Sequence, residues 1–104
     1  MKRGEVWWVD MPAPAGRRPA VLLSRDAAYR VRAAITVAPV TRTTRNIPVE
    51  VPLDREDGMP VRCVINLDDI TILPKVLVKQ RITALSTEKV KQIDEAIRFA
   101  LDLD

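Results

Sequence analysis

The stretch "GRRPAVLLS", Gly16 to Ser24, sets two permanent cations at the mouth of a short apolar run. A guanidinium there is costly unless it faces water or an anion. Arg18 precedes Pro19, and the residue before a proline is driven toward extended backbone, so its side chain has a set direction. Arg17 is expected to point across the chain the other way. A guanidinium held like this suits a phosphate, gripped through two parallel hydrogen bonds. It suits equally a surface ion pair that holds a loop. In "VTRTT", Val40 to Thr44, three threonines surround Arg42. Hydroxyls at a strand end can donate to phosphate oxygens or bond their own backbone in a turn. In "NLDDI", Asp68 and Asp69 can orient an arginine, accept a proton, hold a metal or cap a turn. Adjacent carboxylates rarely reach one ion with good geometry, so a metal is the least favoured of these.

What is missing narrows the chemistry further. The chain has no histidine. That removes a Ser-His-Asp triad, a histidine metal site and a paired-histidine ribonuclease mechanism. Cys63 is the single cysteine, so no internal disulfide forms. It lies in the apolar run "VRCVI" and reads as a core thiol.

These residues need a frame to position them. A length of 104 residues, 47% of them hydrophobic, is enough for one domain, residues 1–104, with a core. No apolar stretch nears the roughly 20 residues of a membrane helix. Met1-Lys2-Arg3 runs into a strand pattern with no apolar leader region, so a cytoplasmic protein is expected. The net charge is +3 and uneven. From Met11 to Pro48 there are seven arginines and one acid, Asp26. Such an excess suits an anionic partner such as nucleic acid, or a solvated basic face.

Strands are expected over Glu5–Met11, Pro19–Leu23, Ala34–Val40, Val49–Leu53, Val61–Leu67 and within Val76–Leu85. The first carries apolar groups on both faces, so it is sandwiched. The third is nearly all apolar, hence central, with Pro39 marking an edge or a bulge. "SRDAAYRVRA" reads as a turn with a short helical piece, and "DDITILPK" as a corner. Ser86 is a helix N-cap, and Val90, Ile93, Ile97 and Leu101 form one apolar stripe beyond it. The fold class is mainly β with a C-terminal helix, a small curved barrel or half-barrel.

Taken in order, "KRGEVWWVDMP", "GRRPAVLLSRD", "ITVAPVTRTTR" and "VINLDDITILPK", followed by the amphipathic helix, resemble the MazF/PemK family of toxin ribonucleases. The likeness covers nearly the whole chain. It implies an SH3-like small barrel, the CcdB/PemK-like toxin fold. It implies a homodimer that cuts single-stranded RNA at short sequences without a metal, held in check by a MazE-like antitoxin. The family's catalytic arginine falls on Arg18 and its catalytic threonine on Thr41. Arg17, Arg42, Thr43, Arg45, Asp68 and Asp69 become candidate RNA contacts. The chain departs from the family's common "D-Q-I-R-T": Asp69 stands in place of the glutamine and Thr71 in place of the arginine. Two other functions suit the same frame: a gyrase poison like CcdB, and an SH3-like nucleic-acid-binding module without catalysis.

RNA cleavage is possible without histidine because RNA carries its own nucleophile, the 2′-hydroxyl. The protein needs to align it with phosphorus and stabilise charge on the phosphoryl oxygens. A guanidinium holds its proton too tightly to be a good general acid at neutral pH. The role expected of Arg18 is therefore electrostatic, with Thr41 orienting the phosphate. The products implied are a 2′,3′-cyclic phosphate and a 5′-hydroxyl.

Overall fold

A computed structural model describes residues 1–104. Seven strands appear: β1 (Glu5–Met11), β2 (Gly16–Leu22), β3 (Ala34–Thr41), β4 (Glu50–Leu53), β5 (Cys63–Asn66), β6 (Thr71–Pro74) and β7 (Val78–Ala84). Two helices accompany them, α1 (Ala28–Val31) and α2 (Thr87–Ala100). The strands form one curled antiparallel sheet in the order β4-β5-β3-β2-β1-β7, with β6 pairing β3 off that path. The two ends of the path, β4 and β7, do not pair, so the sheet makes a half-barrel. No helix is long and apolar enough to cross a membrane.

β3 is the hub, as its apolar run predicts. One edge pairs β2 through residues 37–39. The other edge pairs β6 through residues 34–37 and then β5 through residues 40–41. Pro39 falls where β6 has ended and β5 has not begun, so its missing N–H costs no bond on that side. β1 is sandwiched as expected: Val6 and Val9 are both fully buried but lie in different apolar layers. The larger layer joins Val6, Val40, Ile65 and Leu67 to Ile93 and Ala96 of α2. The smaller one joins Val9, Leu22, Ile35 and Val37 to Tyr29 of α1.

Two readings of the sequence need correction. "DDITILPK" is more than a corner, because Thr71–Pro74 is strand β6. Its four residues are too few to show period-2 patterning, and Pro74 masks the signal. In α2, Ser86 caps as predicted, its hydroxyl accepting from the Lys89 N–H. Leu101, however, is the C-cap residue and 57% exposed. The helix ends at Ala100, so the stripe does not carry past it.

Candidate active site

β1 and β2 are joined by a four-residue turn, Pro12 to Ala15, closed by Ala15 N–H to the Pro12 carbonyl at 3.1 Å. Gly16 leaves this turn with φ +68°, a conformation that costs glycine nothing. The turn matters because Arg18 Nε donates to the Ala15 carbonyl at 2.9 Å. That bond fixes the guanidinium and leaves its Nη atoms free. Arg17, opposite Asp10 in the hairpin, stacks 5.2 Å above the Trp8 ring and donates through Nη2 to Gln80 at 3.3 Å. Neither arginine is in an ion pair; the ion pairs involve Arg3, Arg45, Arg81 and Lys89.

Ala20 on β2 pairs with Pro39 on β3. Continuing that register by two residues brings Arg18 opposite Thr41, the last residue of β3. The Thr41 hydroxyl oxygen accepts from Thr43 N–H at 3.2 Å. The turn bond uses the oxygen and leaves the O–H free to donate. The turn reading of "VTRTT" is thus met at Thr41, and its O–H stays available to an outside acceptor.

Two open grooves meet at this pair. The first, about 400 Å³, is walled by Trp8, Arg17, Arg18, Thr41 and Arg42 on one side and by Met59, Pro60 and Val61 on the other. Its floor includes Val40 and Cys63. Burial pushes the Cys63 thiol up, and the charges of Asp57 and Asp54 add to the effect, so it is an inert thiol at neutral pH. The turn that carries Met59 to Val61 is pinned to β7, where the Thr83 hydroxyl donates to the Asp57 carbonyl at 3.0 Å. Gly58 lies against Thr83 with φ +92°, and a Cβ there would collide with it.

The second groove, about 620 Å³, shares Arg18 and Thr41 and adds Thr43, Arg45, Asn66, Asp69 and Thr71. Asn66 is buried and splits its amide between two neighbours. Its Nδ2 donates to Asp69 at 2.9 Å, and its Oδ1 accepts from Asp68 N–H at 3.0 Å. The two carboxylates thus part company: Asp69 lines the groove, whereas exposed Asp68 lines neither. Of the eight candidate residues, seven converge on the two grooves and Asp68 does not. Arg25, Arg30 and Arg32 lie in or beside α1, away from both.

Sequence reading missed Trp8 as a groove wall, Met59 to Val61, Asn66 and Glu50. For Asn66 a signal existed, a lone amide in the apolar run "VRCVINL". None marked Trp8 out from Trp7, because alternation says which residues share a face but not which face is open.

Comparison with known proteins places this geometry. The family model for the PemK-like, MazF-like toxin of type II toxin–antitoxin systems matches residues 2–101. The chain is 42% identical over 102 residues to the probable endoribonuclease MazF5 of Mycobacterium tuberculosis, covering 96% of this chain and 92% of that one. The solved structure of the Mycobacterium tuberculosis toxin MazF-mt6 superposes with a TM-score of 0.89 at 28% identity, over 96% and 98% of the two chains. A mycobacterial endoribonuclease solved in complex with its cognate antitoxin gives a TM-score of 0.89 at 25% identity, over 100% and 97%. The match over nearly the whole length, together with the half-barrel, settles the kinship: the chain belongs to the PemK-like, MazF-like toxin family of type II toxin–antitoxin systems.

Proposed function

We infer that this chain is an endoribonuclease toxin that cuts single-stranded RNA, with Arg18 and Thr41 at the scissile phosphate. One observation carries the assignment: these two residues, from different strands, are the polar groups common to both grooves. A strand of RNA laid along the grooves passes the pair at its midpoint. Arg18, oriented through Nε, offers its Nη atoms to the phosphoryl oxygens. Thr41 offers its O–H to the same phosphate. Charge that grows on those oxygens as the 2′-oxygen bonds to phosphorus is met by groups already in place. The 2′-hydroxyl loses its proton to solvent, the bond from phosphorus to the 5′-oxygen breaks, the departing oxygen takes a proton from solvent, and a 2′,3′-cyclic phosphate remains, with no metal drawn on. Bases on either side find Trp8 to stack on in the first groove and Asp69 to hydrogen-bond in the second.

Two protein partners complete the reading. Arg17, Arg42 and Arg45 make a basic surface that suits an antitoxin with an acidic, extended tail. Exposed Ile72, Val76, Phe99, Leu101 and Leu103 leave apolar surface for a second copy and for that antitoxin. The place of work is the cytoplasm, where the RNA is. Incubation of a mixed single-stranded RNA pool with the wild type, Arg18→Ala and Thr41→Ala tests the assignment. Fragments are expected from the wild type alone. Full activity in both variants would discard the two residues. A gyrase poison or a non-catalytic module predicts no fragments from any of the three.

A further inference from the structure

Glu50 is the most deeply buried acid near the site, and the RNA reading leaves it without a task. It begins β4, its side chain is 2% exposed, and alternation alone would place it outward beside Pro52. A carboxylate is costly to bury unless partners meet it. Here the partners are local. Oε1 accepts from Arg45 N–H at 2.9 Å and Asn46 N–H at 3.0 Å. Oε2 accepts no hydrogen bond and meets only the Arg45 guanidinium, with Nε at 3.5 Å. The chain folds round this one group. Glu50 N–H closes on the Ile47 carbonyl at 3.0 Å, and Asn46 takes φ +59°, a left-handed conformation asparagine tolerates better than most residues.

The consequence reaches the second groove. Arg45 lines it and its side chain is 58% exposed. With Nε turned to Glu50, its Nη atoms donate to no protein acceptor and form the outward edge of the guanidinium. Across the β4–β5 pair, Glu50 stands opposite Asn66, which holds Asp69 in the same groove.

We propose that Glu50 is a positioning residue for RNA binding: its buried carboxylate folds residues 45–46 and aims the Arg45 fork at a backbone phosphate one side of the cut. This rests on the ribonuclease reading for the identity of the ligand. Glu50 touches no RNA and acts only through Arg45.

The test is binding of a fluorescein-labelled 2′-O-methyl RNA oligonucleotide, which cannot be cut, at several salt concentrations. The proteins are the wild type, Glu50→Gln, Arg45→Ala, Arg45→Lys and the double variant Glu50→Gln/Arg45→Ala. Arg45→Ala is expected to weaken binding about tenfold. It should reduce the slope of log K against log salt by about 0.7, the share of one single-strand phosphate contact. Glu50→Gln should move both quantities the same way and add little once Arg45 is gone. Arg45→Lys keeps the charge but has no fork to aim, so it should keep the wild-type slope and bind more weakly than the wild type, though better than Arg45→Ala. On unmodified RNA, Glu50→Gln should raise KM and keep kcat within about twofold.

A wild-type slope in Glu50→Gln, full additivity in the double variant, or wild-type binding by Arg45→Lys would each overturn the proposal. Should Glu50→Gln fail to fold, the contrast between arginine and lysine at residue 45 still decides. Unmodified RNA is assayed alongside. A wild type that binds but never cuts refutes the ribonuclease reading and leaves the Glu50 assignment standing. A wild type that cuts, with Glu50→Gln binding normally, refutes Glu50 alone. Absence of binding by the wild type refutes both.

Discussion

The two grooves that meet at Arg18 and Thr41 are built from different materials. The first is walled by Trp8, Met59, Pro60 and Val61, with Arg17 laid over the indole. The second is walled by Thr43, Arg45, Asn66, Asp69 and Thr71. Rings and apolar side chains hold a base by its face, and every base has one. Amides and carboxylates hold a base by its edge, where the four differ. Under the proposed function this difference implies a division of labour. The first groove suits a grip on base faces with little regard to sequence, and the second suits reading of base edges. Arginines on both sides make binding salt-dependent, and the shared pair lies at the proposed cleavage point.

The largest effect should come from the shared pair. Arg18→Ala is expected to lower cleavage about a hundredfold to a thousandfold, the usual loss for one aimed donor at a developing oxyanion. Because Arg18 is exposed and in no ion pair, the melting temperature should stay at the wild-type value. Single-turnover cleavage with parallel thermal melts checks both. A smaller loss is expected from the apolar groove. Trp8→Ala should weaken binding of an uncleavable oligonucleotide by about 1–3 kcal/mol, with the salt slope unchanged. A changed slope would mean that Trp8 acts by holding Arg17 rather than by stacking.

Asp69→Asn probes the polar groove. Asn66 already occupies Oδ2, so one carboxylate oxygen remains to accept from a base N–H. Replacing it by an amide should alter relative cleavage rates among substrates differing at one base by about three- to tenfold, consistent with a hydrogen bond to a charged group. Sequencing of fragment ends reads this directly, and an unchanged pattern would remove Asp69 from base reading. The smallest effect is at the floor of the first groove. Since burial raises the Cys63 thiol, its alkylation at neutral pH should be slow and should quicken as pH rises through the thiol range. The sign for stability follows. The unfolded chain ionises its thiol first, so the stability contributed by Cys63 is present at neutral pH and falls as pH rises through that range.

Much of this was legible in the chain itself. β1 and β3 announce themselves by β-branched and aromatic runs, and α2 by its cap and its stripe. Arg18 stood out as a cation before Pro19 and Thr41 as a hydroxyl where an apolar strand ends, but those residues alone left their roles open, and only the family resemblance paired them. The rest depends on facts that neighbours along the chain do not encode. β6 is four residues long and is a strand only because β3 has an edge to offer. Glu50 is buried because residues 45–49 fold over it, which reverses what alternation in "VEVPL" suggests. Asp68 and Asp69 are neighbours in sequence, yet the turn after β5 sends only one to the groove, held by Asn66.

In the proposed reaction the 2′-hydroxyl of RNA attacks the phosphate held between Arg18 and Thr41. An end-labelled oligoribonucleotide carrying one cut site, and its twin with a single 2′-deoxy nucleotide 5′ to that site, tests it most directly. The first should yield a 2′,3′-cyclic phosphate and a 5′-hydroxyl, and the second should stay intact. Cutting at the deoxy position, or a 5′-phosphate on the product, would contradict it.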